Sequence, residues 1–313
     1  MHNRLFNEAI IKLTITPIGP ILIKAGEGDA DPTKPDMNFV RTTRDGKETV
    51  YLPGSSLKGL LRAHCERLAR TVQNKKQLAC DPLSDSSCGK WLEGKELAAA
   101  AKHARSCFVC QLFGNTSLAS HFRIEDAYPD PRENAPRTEE RNGVAIDRVF
   151  GSVAVGPFNY ETVTSGNFQT KIYIKNFTLA QIGLLALALR DLTAERVRVG
   201  FAKSRGLGVV TAHIDALTLR YPLCELKDGK FYLLGGRLQG ENKQLIGVGQ
   251  FAKDEGYGYP SDDTVLMPDG YAYVSNEWDE VEVHSPIDGK NVQWEALGRA
   301  CAKKWRAEVE GGN

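Results

Sequence analysis

Nowhere does the chain contain a run of about eighteen apolar residues, so no membrane-spanning helix is expected. A secretory leader is also lacking: Met1–Ala9 is polar, and the apolar stretch after it is broken by Lys12, Thr14 and Thr16. Net charge is nearly absent, +1 from 40 Lys and Arg against 39 Asp and Glu, which at first argues against a polyanion partner. No internal repeat or low-complexity tract occurs, which excludes solenoid and propeller folds. The order G-x-x-x-x-G-K-[ST] is missing, which excludes a Walker-type phosphate loop. The cysteines number seven, an odd count. Without a leader they point to a reducing, cytoplasmic compartment, where clustered thiols bind metal more often than they cross-link.

What is present reads as an ordinary globular protein. Its 313 residues are 42% hydrophobic and 25% charged, enough for one large domain or two ordinary ones with a real core. The near-zero charge is an average over unlike parts. Residues 1–253 hold 35 basic and 26 acidic side chains, whereas residues 254–313 hold 5 and 13. Tyr257, Tyr259, Tyr271, Tyr273, Trp278, Trp294 and Trp305 fall in the acidic part, where phosphate is repelled; they fit an aromatic core or a protein contact.

Periodicity supplies the elements. Ile11, Leu13 and Ile15 alternate with Lys12, Thr14 and Thr16, predicting a half-buried strand. Residues 26–38 are a loop rich in Asp, Gly and Pro. Phe39–Thr43 and Thr49–Leu52 flank an Asp45-Gly46 hairpin turn. Leu57, Leu60, Leu61, Cys65 and Leu68 recur at helical spacing behind Ser55 and Ser56, either of which can cap that helix. His121–Ala127 and Asn167–Lys175 read as strands, Thr178 caps an apolar helix Leu179–Leu192, and Val209–Leu219 is a closing strand. Strands and helices in this order suggest an α+β fold, with helices on one face of an antiparallel sheet.

Three constellations carry chemistry. Pro53-Gly54-Ser55-Ser56-Leu57-Lys58 with Arg62 aims backbone N–H groups, hydroxyls and positive charge at one spot, a way to hold phosphate. Taken alone, a capped helix with a solvated lysine accounts for the same residues. Its surroundings favour a polyanion: residues 37–76 contain nine Lys and Arg against three acids. The second is Gly200-Phe-Ala-Lys-Ser-Arg-Gly-Leu-Gly208, whose glycines allow close backbone approach while Lys203, Ser204, Arg205 and Gly206 offer donors. The third is Cys80-x7-Cys88-x18-Cys107-x2-Cys110. A C-x2-C pair can converge on one tetrahedral ion, so structural zinc is expected in an insertion at residues 75–111 too poor in large apolar residues to fold alone. His103 could replace one ligand, and four reduced, packed cysteines are the alternative. The other histidines form no triad with Cys or Ser; His64 lies on the basic helix, and His121, His213 and His284 are isolated.

In order along the chain, Asp36-x-x-x-Val-Arg41, PGSSLKG, Leu112-Phe-Gly-Asn115, the strand F-R-I-E-D-A and GFAKSRGLG resemble the RAMP superfamily over residues 8–220. More narrowly, they look like the backbone subunits of type III CRISPR RNA-guided effector complexes. The resemblance implies a modified ferredoxin-like (RRM-type) fold in residues 1–220, with the zinc insertion and a thumb-like hairpin inserted at about 129–165. Gly143–Val163 or the polar stretch just before it is the thumb candidate. Residues 221–313 would be an acidic C-terminal extension. Implied partners are CRISPR guide RNA, a single-stranded target RNA, and other RAMP and large subunits, in the cytoplasm of a prokaryote. Guide contacts would come from Arg41, Ser55, Ser56, Lys58, Arg62 and Lys203–Gly206. The family's metal-dependent cleavage of target RNA, with Mg or Mn, maps its loop Asp onto Asp36, with Asp31 in reserve; Asn38 stands where a proline is usual. Alternatives are a subunit that holds RNA without cutting, and a repeat-RNA processing nuclease that uses a histidine, for which only His213 is close to the glycine-rich loop.

Overall fold

The computed structural model describes residues 3–26, 35–72, 77–252, 254–284, 287–288, 291–292 and 294–311. The alternating segment becomes strand β1 (Glu8–Pro17), which buries Ile11, Leu13 and Ile15 and leaves Lys12 exposed. A hairpin follows, β2 (Arg41–Arg44) and β3 (Lys47–Val50), turned by Asp45 and Gly46, both at positive φ. Helix α1 (Gly54–Thr71) buries Leu57, Leu60, Leu61 and Cys65, as its spacing predicts. The cysteine-bearing insertion folds as three short helices, α2 (Cys88–Leu92), α3 (Ala99–Arg105) and α4 (Phe108–Phe113).

Strands β4 (Phe122–Ile124) and β5 (Tyr128–Pro129) precede a long hairpin, β6 (Arg137–Ile146) and β7 (Val153–Ser165). Then come β8 (Phe168–Lys175), α5 (Leu179–Thr193) and β9 (Val210–Pro222). Thr178 closes a capping box with Gln181 at the start of α5. Antiparallel pairing runs β9-β1-β8-β4, so β1, α1, β4, β8, α5 and β9 form the split β-α-β-β-α-β arrangement. This agrees with the expected α+β class. A bulge interrupts the β1–β9 register: Lys12 faces Ala216 and Leu13 faces Ile214, which leaves Asp215 as the extra residue.

The remainder comprises β10 (Cys224–Lys227), β11 (Lys230–Leu233), β12 (Arg237–Glu241), β13 (Gln244–Ile246), α6 (Gly249–Ala252), β14 (Thr264–Leu266), β15 (Ala272–Asn276), β16 (Glu280–His284), β17 (Ile287–Asp288), β18 (Asn291–Val292) and α7 (Trp294–Glu310). The picture of an appended extension needs correction here. A boundary at residue 220 falls inside β9, and β16 pairs with β9 through Val281–Tyr221 and Val283–Leu219, so β15 and β16 prolong the same sheet. Helix α7 lies so close to α5 that a Cβ on Gly183 would stand 2.2 Å from the Cys301 carbonyl oxygen. One hydrophobic cluster includes Leu13, Leu57, Cys107, Leu184, Tyr221, Phe231 and Trp305. The aromatic residues of the acidic part mostly serve that core: Tyr259, Tyr271 and Trp305 are buried, while Trp278 is exposed. No helix among the described residues is long and apolar enough to cross a membrane.

Candidate nucleic-acid interface and metal centre

Residues 20–25, just beyond β1, organise the interface. On one edge, Ile21 exchanges hydrogen bonds with Val163 of β7, Val40 donates to the Ile23 carbonyl and Ala25 to that of Asn38. On the other, Phe201 donates to the Leu22 carbonyl (2.7 Å) and Gly208 to that of Pro20 (2.9 Å). The Asp36 segment, the foot of the long hairpin and the glycine-rich loop thus hang on one stretch of backbone.

Asp36 is exposed at the hairpin foot, where its Oδ2 accepts the Asn159 N–H (2.9 Å). Met37 bridges to Asn159 and Glu161 through its backbone. Glu161 locks the segment further by accepting the Phe39 N–H (3.1 Å) and pairing with Arg41, so that guide-contact candidate is already held by a carboxylate. The hairpin is the thumb candidate. It takes in both stretches weighed for that role, since β6 begins at Arg137 within the polar one, and its tip exposes Val149 and Phe150. Asp31 lies outside the described residues, as do Asp29, Lys75 and Lys76. Asp45 is a turn residue beside Arg44 (4.0 Å).

The start of α1 departs from expectation. Neither serine caps it; the N-cap is Pro53, and the Gly54 N–H donates instead to Asp126 Oδ1 (2.7 Å). Gly54 is required there because a Cβ would stand 2.7 Å from the Ile124 carbonyl oxygen. With Asp126 taking the first donor, Ser55 and Ser56 stay exposed in the first turn, where backbone N–H groups lack intrahelical acceptors. Lys58 donates to Ser120 Oγ (2.8 Å) and the Phe122 carbonyl (3.2 Å), and burial followed by the nearby Arg62 charge lowers its pKa. Arg62 turns inward, donating to Glu66, to the Gly114 carbonyl (3.0 Å) and to Cys110 Sγ (3.4 Å). His64 packs against α5, its Nε2 2.9 Å from the buried carboxylate of Asp191.

In the glycine-rich loop, Lys203–Arg205 make one 3-10 turn and Lys203, Ser204, Arg205 and Gly206 are all exposed. Gly200 (φ +84°) is required there, because a Cβ would stand 2.2 Å from the Leu22 carbonyl oxygen. Desolvation and, after it, the charge of Arg67 on α1 lower the Lys203 pKa. His213 forms no hydrogen bond with this loop; Asp215 holds its ring (3.1 Å).

The four insertion cysteines converge. Their sulfurs all lie within 4.8 Å of one another, and all four are buried. Cys80 and Cys110 sulfurs are 3.7 Å apart, close to the roughly 3.8 Å edge of a tetrahedron with Zn–S bonds of about 2.3 Å. Backbone N–H groups of Cys107 and Cys110 donate to the sulfurs of Cys88 (3.2 Å) and Cys107 (3.4 Å), a pattern suited to thiolates. Hydrogen bonds from the Cys107 and Cys110 thiols lower the Cys88 pKa, while the same contacts raise that of Cys110. Arg62 touches Cys110, and Arg70 donates to the Cys80 carbonyl (2.6 Å). His103 is not part of the set: it faces the Tyr257 carbonyl (2.8 Å) and Tyr259. The cluster could hold one metal ion with every position filled by protein.

Asp126, Asn159, Glu161 and Arg70 were not singled out as site residues. Asp126 lies within the F-R-I-E-D-A strand motif, but its role depends on a helix 72 residues away.

No curated protein sequence matches the chain. Among solved structures it is similar to one described as a Type IV-B CRISPR Complex, at 20% identity and a TM-score of 0.47, over 66% of this chain and 90% of that one. The family described as RAMP superfamily matches residues 14–211, which take in α1, the cysteine insertion, the long hairpin, α5 and the glycine-rich loop. With that match spanning most of its length, the chain belongs to the RAMP superfamily.

Proposed function

We propose that the chain is a guide-RNA-binding backbone subunit of a type III CRISPR effector, and that Asp36 serves cleavage of the target RNA paired to the guide. The observation that carries this reading is the shared frame at residues 20–25. Its backbone hydrogen bonds tie the Asp36 segment and the foot of the long hairpin to one edge and the basic glycine-rich loop to the other. Ser55 and Ser56 with the free N–H groups of α1, and Lys203–Gly206, would hold guide phosphates. Lys58 and Arg62 shape that surface from beneath, being partly committed to Ser120, Gly114 and Glu66.

Cleavage would proceed by in-line attack of the target 2′-oxygen on the adjacent phosphorus. The P–O5′ bond breaks, leaving a 2′,3′-cyclic phosphate and a 5′-hydroxyl as the proton passes from the 2′-OH to the leaving oxygen through solvent. A divalent cation, Mg or Mn, would supply charge neutralisation at the phosphate. Asp36 suits such an ion as a single carboxylate: Asn159 fixes one oxygen and leaves the other for the ion or the attacking hydroxyl, with remaining ligands from phosphate and water. The buried cysteines are read as a structural zinc site, since four thiolates leave no open position.

Asp36→Ala in the assembled complex should abolish single-turnover cleavage of a complementary RNA and leave guide affinity unchanged. Full cleavage by that variant would remove Asp36 from the mechanism. The bond from Asn159 to Asp36 favours a second reading, in which the carboxylate is a structural clamp and the subunit holds RNA without cutting. Wild-type complex that binds target yet leaves it intact in Mg and Mn would decide for it.

A further inference from the structure

Large apolar side chains gather on the surface where the β15–β16 turn meets the start of β10. Trp278 in the turn is 87% exposed, Leu223 58% and Leu234 42%. Backbone hydrogen bonds hold them together: Cys224 donates to the Asp279 carbonyl (3.2 Å) and Leu234 to that of Leu223 (2.9 Å). The Trp278 N–H donates to Asn276 Oδ1 (3.0 Å), which fixes the turn that carries the indole. Leu223 sits at φ +57°, a left-handed conformation that a bulky side chain rarely adopts. Glycine would take it without cost, and so exposed a leucine returns little to the core. Strain kept at an exposed position points to a use outside the fold.

The carboxylates flanking the indole, Glu277 and Asp279, are exposed and have no ion-pair partner among the described residues. The cations around the patch are already paired: Arg220 with Glu280 (3.2 Å) and Glu8 (3.5 Å), Arg237 with Asp254 (3.7 Å), and Lys227 with Glu225 (2.6 Å). Lys230 lies at the other end of the β10–β11 hairpin from Leu223. The unpaired charge is therefore negative, and it repels a phosphate backbone or an anionic membrane surface. The patch is also remote along β1 from the Asp36 frame. Glu280 pairs with Pro222, one step beyond the Glu8 end, whereas residues 20–25 follow the Pro17 end. An apolar centre with an acidic rim fits a partner of the opposite pattern. We propose that it docks a cationic amphipathic segment of another protein, with apolar side chains on Leu223, Leu234 and Trp278 and Lys or Arg on Glu277 and Asp279.

The test uses the full chain and a labelled leucine–lysine peptide of helical periodicity, with the leucine–glutamate peptide of the same pattern as control. Wild type should bind the first and not the second, and affinity should fall as salt rises. Trp278→Ala should weaken binding roughly tenfold and leave the melting temperature unchanged, because the side chain stands in solvent. Glu277→Gln with Asp279→Asn should flatten the salt dependence and keep the fold, since asparagine tolerates the left-handed φ of residue 279. Leu223→Gly should bind more weakly yet melt no lower than wild type, which separates docking from packing. Equal binding of the two peptides, or of the leucine–lysine peptide by wild type and Trp278→Ala, would overturn the proposal. So would self-association of the wild-type chain in sedimentation that Trp278→Ala abolishes, because the occupant would then be a second copy.

Discussion

Asp126 takes the first free N–H of α1 and so fixes where the helix meets β4, which in turn leaves the two serines open to a ligand. Asp126→Ala should cost about 1–2 kcal/mol of stability, the usual effect of losing a helix cap, whereas Asp126→Asn keeps an acceptor and should lose less. Urea denaturation of the three chains checks the order. Asp263 is a second carboxylate of this kind, fully buried and accepting the N–H groups of Leu179 and Gly249 (both 3.0 Å) at the starts of α5 and α6. Burial pushes its pKa up to about 6 despite those two bonds. A raised folded pKa means that the folded state holds the proton more tightly. The stabilisation is therefore complete below roughly pH 4, the unfolded value, and is lost as pH rises through about 6. Relative to Asp263→Asn, wild type should gain stability as pH falls from 7 to 4.5, and a flat or reversed difference in melting temperature would contradict this.

Among the elements, α5 was fully legible from sequence: Thr178 is a local cap and the apolar run after it has one possible fate. The cysteine insertion was legible too, because C-x2-C constrains two ligands by itself. Removing one ligand by Cys88→Ser should lower bound zinc from one equivalent to below half and expose residues 78–113 to proteolysis; metal analysis of wild-type chain below half an equivalent would refute the zinc reading outright. The long hairpin was legible only in part. Arg137–Arg141 read as a polar excursion because β6 is exposed on both faces, so no alternation of burial marks it as a strand. The Asp36 segment carried a motif, yet its clamp did not. Glu161 reaches Phe39 across 122 residues, a pairing that local patterning does not encode.

For the whole molecule, the acidic final portion proved hardest to read. Its composition suggested a detached surface, but β15, β16 and α7 complete the sheet and helical layer of the basic body. Strand pairing at such separation leaves no local trace beyond alternating Val281 and Val283. Deleting residues 254–313 should consequently cost more than a partner. It strips β16 from β9 and α7 from α5, and the remaining chain should lose near-ultraviolet circular dichroism and cooperative unfolding. A soluble truncated chain with the wild-type melting temperature would restore the view of an independent tail. The basic and acidic parts of the chain thus belong to one folded body with a shared sheet and core.

Residues 20–25 are gripped along both edges, and this bears on how such a chain can change length over evolutionary time. Pro20 and Leu22 present carbonyls to the glycine-rich loop, while Ile21 and Ile23 present theirs to the hairpin foot and the Asp36 segment. One inserted residue would swap those two sets, because orientation along an extended chain alternates at every step. The hairpin tip between β6 and β7 and the excursion of β10–β12 have no such double constraint. Lineages are free to lengthen or shorten the hairpin and so alter its reach. The gap between the loop carboxylate and the basic loop is the dimension they must inherit unchanged.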